Sequence, residues 1–202
     1  MIVDNISKIS SLLNFKEGTF YYIQVIQRKK DHPELEKSDM KRYQTFITSI
    51  GDFNIHLPRI KKVCEDYGAR AYISLIPRSL ERLAKECALE YVKRIARGEY
   101  KRVWDIPNRL ALSDEVRESG NLKWMFDVDD MSRYDNFLDN IKKAKISVIS
   151  ELDTVSGKHI IVKPFNPRVI ENFRSGEDYI FLDGSRATLR QDSNTILYAS
   201  IP

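Results

Sequence analysis

The sequence predicts an α/β (α+β) protein built from two halves. Strand-like runs of aromatic and β-branched residues alternate with helix-like segments in the first hundred residues, and a strand-helix-strand-strand order follows in the second half. Of the 202 residues, 42% are hydrophobic and 31% are charged, a composition typical of folded globular proteins and too apolar for disorder. We expect an N-terminal α/β unit at 1–102, a connection at 103–121 and a second unit at 122–202, which together could form one compact domain.

The predicted strands of the first half are aromatic or β-branched. They cover 19–30, 42–50 and 69–76. A helix is expected over 57–68, because Pro58 suits a helix start and Gly68 suits a helix stop.

The clearest helix of the first half ends at Gly98. Its apolar residues form one continuous stripe: Leu80, Leu83, Ala84, Cys87, Ala88, Tyr91, Val92 and Ile95. We expect this stripe to face the core. Cys64 and Cys87 both fall on apolar helix faces, so we interpret them as buried thiols.

The second half is predicted to contain two helices between pairs of strands. Strands are expected at 122–129, 145–150 and 157–165, helices near 134–141 and 167–173, and a closing strand pair at 187–192 and 195–201. This β-α-β-β-α-β order is that of an RRM-like split βαβ sheet, packed here on the N-terminal unit. One face of such a sheet is covered by helices, and the other is free to hold a site.

Charge is unevenly distributed along the chain. Residues 1–102 contain 20 Lys and Arg against 13 Asp and Glu, whereas residues 103–202 contain 13 against 16. A basic half could contact phosphates and an acidic half could hold metal, although ordinary solvated surface is the simpler explanation of the asymmetry alone. No apolar run approaches the ~20 residues that span a bilayer, and the first residues lack a signal-peptide pattern. We expect a cytoplasmic protein with no membrane contact.

Three aspartates follow the apolar start of the segment "KWMFDVDD" at 123–130. Because side chains alternate between the faces of a strand, Asp127 and Asp129 share a face with Met125, roughly 6–7 Å apart along the strand. Carboxylates at that spacing can hold a divalent cation between them, which removes their mutual repulsion. Asp130 is expected to cap the next helical turn.

A second polar segment, "SGKHIIVKPF" at 156–165, could complement these carboxylates. His159 and Lys163 share a strand face, and Ser156 and Gly157 form a tight turn whose N–H groups could approach phosphate oxygens. Together with Asp127 and Asp129, this segment could bind a nucleotide and its metal. A structural histidine followed by a strand-end lysine is the alternative.

These two segments resemble the motifs of the archaeo-eukaryotic primase (primase-polymerase) superfamily. "WMFDVD" is similar to the Asp-x-Asp strand of the catalytic palm, and "SGKH" is similar to the turn and histidine that follow it. The resemblance covers residue 122 to the end and implies metal ligands at Asp127 and Asp129 and a nucleotide-binding histidine at His159. The third acidic ligand would be Asp192, with Asp183 as the alternative.

The resemblance implies two-metal nucleotidyl transfer with Mg²⁺ or Mn²⁺, using nucleoside triphosphates and a DNA or RNA template. The implied catalytic and metal-binding residues are Asp127, Asp129 and Asp192. The implied nucleotide-binding residues are Ser156, Gly157, Lys158, His159, Lys163 and Arg190. Candidate template contacts are Arg28, Lys29, Lys30 and Arg70, with Tyr21, Tyr22 and Tyr72 available for base stacking. A helicase or another replication protein of a phage or mobile element is a possible partner.

Two other functions fit parts of the sequence. An RRM-like sheet beside a basic unit could belong to a catalytically inactive nucleic-acid-binding or viral interaction protein. "MFDVDD" also resembles the first motif of haloacid-dehalogenase-type phosphatases. Only 75 residues follow Asp127, which leaves too little chain for the several βα units of their doubly wound core.

Overall fold

The computed structural model describes residues 1–36, 39–120, 122–167, 170, 179–180, 185–192 and 194–202. They form a mixed α and β structure with two antiparallel sheets. The strands are β1 (Ile2–Asp4), β2 (Thr19–Gln27), β3 (Met40–Ile47), β4 (Arg70–Ser74), β5 (Arg78–Ser79), β6 (Trp124–Val128), β7 (Val148–Asp153), β8 (Lys158–Val162), β9 (Tyr179–Ile180), β10 (Arg186–Arg190) and β11 (Asn194–Ser200). The helices are α1 (Ile6–Leu12), α2 (Ile50–Tyr67), α3 (Leu80–Ala96), α4 (Ile106–Leu110) and α5 (Tyr134–Lys143).

The first sheet has the strand order β1-β11-β4-β2-β3, with β5 paired to the start of β2. Alternation along β2 buries both of its faces: Tyr21 and Ile23 join the core that contains α1 and α2, while Phe20 and Tyr22 join the core that contains α3 and α4. The expected strands of the first half are therefore present, with ends that differ by a few residues.

Helix α2 begins at Ile50, seven residues before the expected start at residue 57. Ser49 caps it by accepting a hydrogen bond from the Asp52 N–H at 3.0 Å. The Asp52 carboxylate accepts one from the N–H of Thr48, the residue before the cap, at 3.1 Å. Pro58 lies inside the helix. These two bonds determine the start of the helix, and the expected stop at Gly68 is confirmed by its left-handed φ of 57°.

The expectation for the buried face of α3 is wrong in part. Leu83 and Cys87 are buried against the first sheet, and both cysteines are buried as expected. Tyr91 is half-buried, and the other five residues of the expected stripe are exposed: Leu80, Ala84, Ala88, Val92 and Ile95. The reason is that α3 contacts the sheet and α4 along one narrow side only. The helix thus leaves a second apolar face without cover from the described residues.

The second sheet has the order β7-β8-β6-β10-β9. Strands β6 and β7, which α5 connects, run in the same direction, and β8 lies between them antiparallel to both. Phe126 and Val128 of β6 pack with Phe137 and Ile141 of α5, as the alternation of β6 predicts. The expected helix near 167–173 falls largely outside the described residues.

The final strand, β11, belongs to the first sheet, so the expectation that it closes the second sheet is wrong. It pairs with β1 on one side and β4 on the other. Five consecutive residues, from Thr195 to Ala199, are buried. A strand that is buried on both faces requires a central position with cover above and below, and the middle of the first sheet provides it.

The two sheets are joined by a shared core and by hydrogen bonds. The face of the second sheet opposite α5 carries Met125, Leu152 and Ile161, whose side chains pack into the core of the first sheet. Buried Asn5 donates to the Asp153 carbonyl at 2.8 Å and to the Ile196 carbonyl at 2.9 Å. The face expected to be free is therefore partly covered, and the open remainder is a cavity between the sheets.

Candidate nucleotide site

A cavity of about 440 Å³ lies between the two sheets. Its wall from the second sheet carries Asp127, Asp129, Ser156, His159 and Arg190, followed by Asp192. The wall from the first sheet and the turns beside it carries Arg28, Lys30, Asp39, Arg70, Tyr72 and Asn194. Most of the residues expected from the two sequence motifs therefore share this cavity.

Asp127 is the most enclosed carboxylate of the site, with 20% of its side chain exposed. One carboxylate oxygen lies 3.3 Å from His159 Nε2, and the other lies 3.2 Å from an Arg190 guanidinium nitrogen. Pairing of β6 with β8 and β10 brings these side chains together, since Asp127 stands opposite His159 and Arg190 opposite Met125. Burial alone would raise the pKa of Asp127, but His159 and Arg190 lower it below its ordinary value.

The other ring nitrogen of His159 contacts the first sheet. Nδ1 lies 2.7 Å from the hydroxyl oxygen of Thr195, and both side chains are buried. This contact orients the imidazole so that Nε2 points at Asp127. Sequence reasoning missed Thr195, because it lies on β11, which was assigned to the wrong sheet.

Asp129 and the turn at 154–157 close one end of the cavity. The Ser156 hydroxyl donates to Asp129 at 3.0 Å. The Gly157 N–H, expected to approach a phosphate, donates to the Thr154 hydroxyl oxygen at 2.9 Å. Gly157 lies directly against the backbone of Val128.

The expected third acidic residue is placed at the cavity but does not complete a metal cluster. Asp192 is exposed and lies on the cavity lining after β10. Within the described part of the chain, no three His, Cys, Asp or Glu side chains are grouped closely enough to hold a metal ion. Asp183, the alternative, lies outside the described residues.

The basic residues expected to contact a template differ in their surroundings. Arg28 donates to the Tyr72 hydroxyl at 3.4 Å, and Lys30 is exposed on the cavity lining. Arg70 is only 4% exposed and forms a buried ion pair with Asp31, which holds the turn after β2 against β4. Arg70 is thus committed to the fold. Arg28 is half-buried and also pairs with Asp39 at 3.6 Å, whereas Lys30 is accessible.

Three further residues expected to bind a ligand lie outside this cavity. Lys158 extends to Asp153 at 3.2 Å and lies over the ring of Tyr134. Lys163 is exposed beyond the end of β8, and Lys29 is exposed in the turn after β2.

The three tyrosines expected to stack on bases differ in their exposure. Tyr21 and Tyr22 are buried in the two cores and are not available for stacking. Half-buried Tyr72 is on the cavity wall.

No family model, curated protein or solved structure matches this chain. None of the helices in the described ranges is both long and apolar enough to cross a bilayer.

Proposed function

We propose that the protein is a primase-type nucleotidyltransferase, which adds nucleotides to a nucleic-acid 3′-hydroxyl or begins new primers. The observation that carries the proposal is the contact of His159 Nε2 with Asp127 at 3.3 Å, in a cavity that also contains Asp129, Asp192 and Arg190. The motif residues come from strands that are distant in sequence. Their convergence on one cavity is expected for a shared ligand and not for independent surface residues.

The order of the second sheet supports the same proposal. An RRM-like palm requires β8 between the parallel strands β6 and β7, with a further antiparallel strand on the far side of β6. The observed order β7-β8-β6-β10 supports this part of the proposal. The Asp-x-Asp strand is then central, and its polar face is turned toward the cavity.

The carboxylates of the site fit Mg²⁺ or Mn²⁺ when a nucleotide supplies the remaining ligands. Mg²⁺ is usually bound by one or two carboxylates together with substrate phosphates, so a pre-formed cluster of three acids is not required. Asp127 and Asp129 would hold the cation, with Asp192 near enough to the cavity to contact a second. The cation would neutralise triphosphate charge and activate the 3′-hydroxyl.

Arg190 has a defined part in this proposal. It occupies one oxygen of Asp127, and a cation can use that oxygen only after the guanidinium moves away. Arg190 is half-exposed, so it can turn toward the cavity, where a triphosphate offers it a bidentate partner. We expect Arg190→Met to bind Mn²⁺ more tightly than the wild type without nucleotide, and to bind nucleoside triphosphate more weakly. Isothermal titration with each ligand measures both; tighter binding of nucleotide by the variant would contradict this role.

The proposal is tested by primer synthesis and extension with labelled nucleotides and Mn²⁺. Replacing both Asp127 and Asp129 by Asn should reduce product roughly 100-fold or more, because the charges that hold the cation are lost. The matched control is Asp130→Asn, which removes only the cap on the Met131–Arg133 turn. Activity that is equal in wild type and double variant, or absent from both, would refute nucleotidyl transfer.

Nucleic-acid binding without catalysis is the second candidate. It is favoured by the engagement of both Asp127 oxygens and by the missing cluster of three acids within the described residues. Salt-dependent binding of single-stranded DNA or RNA, with no product in the extension assay, would support it. The strand pairs described are antiparallel throughout. A phosphatase with a parallel doubly wound core is therefore not proposed.

A further inference from the structure

The solvent side of α3 carries an apolar surface far from the cavity. We define the α3 surface as Ala88, Leu89, Val92, Ile95 and Ala96. The three large side chains are 53%, 67% and 60% exposed, respectively. Leu89, Val92 and Ile95 follow one another at intervals of three residues, which places them on one side of the helix as a continuous stripe. Isolated exposed apolar residues are ordinary, but a stripe along two turns of one helix indicates an interaction surface.

Positively charged side chains without an ion-pair partner among the described residues lie at the C-terminal end of α3. Lys93, Arg97, Lys101 and Arg102 are exposed, and in the part of the chain that the structure describes none of them forms an ion pair. Two other cations of α3 are paired: Lys85 contacts Glu81 at 2.5 Å and Arg94 contacts Glu90 at 2.8 Å. Arg82 donates to the Arg117 carbonyl oxygen at 2.7 Å. The α3 surface is thus apolar in the middle and basic at its C-terminal border.

We propose that the α3 surface binds an acidic amphipathic helix of another protein. The exposed apolar side chains lie at i, i+4 and i+7 (Ala88, Val92 and Ile95) and at i, i+3 and i+7 (Leu89, Val92 and Ala96). Such a ridge can pair with the apolar face of a second helix. Carboxylates on that helix would compensate the four unpaired cations, which gives the complex its orientation and specificity. This binding surface is separate from the cavity and does not depend on the proposed nucleotidyl transfer.

Other occupants satisfy these features less well. In a two-fold dimer whose α3 helices packed in parallel, the same basic border would face itself, and like charges would oppose association. Nucleic acid would pair with the cations but leave Leu89, Val92 and Ile95 against a charged backbone.

The test uses the full chain and two synthetic 18-residue amphipathic peptides with identical leucine faces. One peptide carries Glu at its polar positions and the other carries Lys. Fluorescence anisotropy should show binding of the Glu peptide only, weakened at least 10-fold by Val92→Glu and several-fold by Arg97→Glu. The matched control is Ile55→Glu, which alters an equally exposed apolar residue on α2 and should leave the affinity unchanged.

Several results would overturn the proposal. No binding of the Glu peptide, equal binding of the Lys peptide, or an affinity that Val92→Glu leaves unchanged would each contradict an acidic helix as the partner. Sedimentation that shows a dimer lost in Val92→Glu would assign the surface to a second copy. Binding to vesicles of phosphatidylcholine and phosphatidylserine, lost in the same variant, would assign it to a membrane. Circular dichroism verifies that each variant is folded, as expected for exposed positions.

Discussion

Gly157 is the glycine whose replacement should perturb the candidate site most. A Cβ atom built at this residue would lie 2.0 Å from the Val128 carbonyl oxygen, 2.9 Å from its carbonyl carbon and 3.0 Å from Asp129 Cα. All three atoms belong to backbone, so no side-chain rotation can relieve the contact. Gly157→Ala must therefore separate the end of β6 from the start of β8, beside Asp129.

The size of the effect follows from these distances. A carbon–oxygen contact is ordinarily about 3.3 Å or longer, so the two backbones must move apart by roughly 1.3 Å. Overpacking of well-packed regions typically costs about 1–3 kcal/mol, and backbone obstacles belong at the upper end. We expect a loss of about 3 kcal/mol in the free energy of unfolding, or a fall in Tm of roughly 6–12 °C for a chain of this size.

Urea denaturation followed by circular dichroism measures this loss. The matched control is Gly120→Ala, because a Cβ at Gly120 meets no atom within 4 Å. That variant should stay within about 0.5 kcal/mol of the wild type, or gain slightly from the reduced entropy of its unfolded chain. If Gly157→Ala is as stable as Gly120→Ala, the close approach of Gly157 to Val128 is refuted.

Two further predictions concern ion pairs and protonation near the turn after β2. Asp31→Asn leaves the buried guanidinium of Arg70 without its counter-charge, so the free energy of unfolding measured with urea should fall by about 3 kcal/mol. Asp66→Asn removes only the exposed pair with Lys62 and should cost under about 0.5 kcal/mol. Equal losses in the two variants would contradict this prediction. The two ring nitrogens of His32 bond the Gly68 carbonyl oxygen and the Glu34 carboxylate, and these bonds raise the pKa of His32. Its contribution to stability is present below about pH 6.5 and is lost as the pH rises through the raised folded-state pKa, so His32→Gln should flatten that part of the stability profile, and an unchanged profile would refute the assignment.

The local pattern of the sequence was sufficient for β6. Alternation placed Phe126 and Val128 on α5 and Asp127 on the opposite face, and each of these placements is confirmed. The period of a strand is a property of its backbone and does not depend on neighbours. The same reasoning located the turn before His159, although the N–H of Gly157 is used within that turn.

Propensity and periodicity were insufficient where burial depends on distant segments. The apolar stripe of α3 fits a buried helix, yet only Leu83 and Cys87 are buried in the core, with half-buried Tyr91 packed against it. Likewise, the composition of the buried strand β11 suits a place in either sheet. Its pairing with β1 and β4 depends on contacts across most of the chain length, which no local window contains.

The sequence by itself determined the mixed α and β class, most strands, the two faces of β6 and the residues of the Asp-x-Asp and histidine motifs. The tertiary structure decided that His159 and Asp127 meet, that Thr195 orients the histidine and that Arg70 is an internal ion pair. The physical reason is that strand alternation is local, whereas strand order and register arise from the burial of apolar faces contributed by the whole chain. A cavity between two sheets exists only after both sheets have formed.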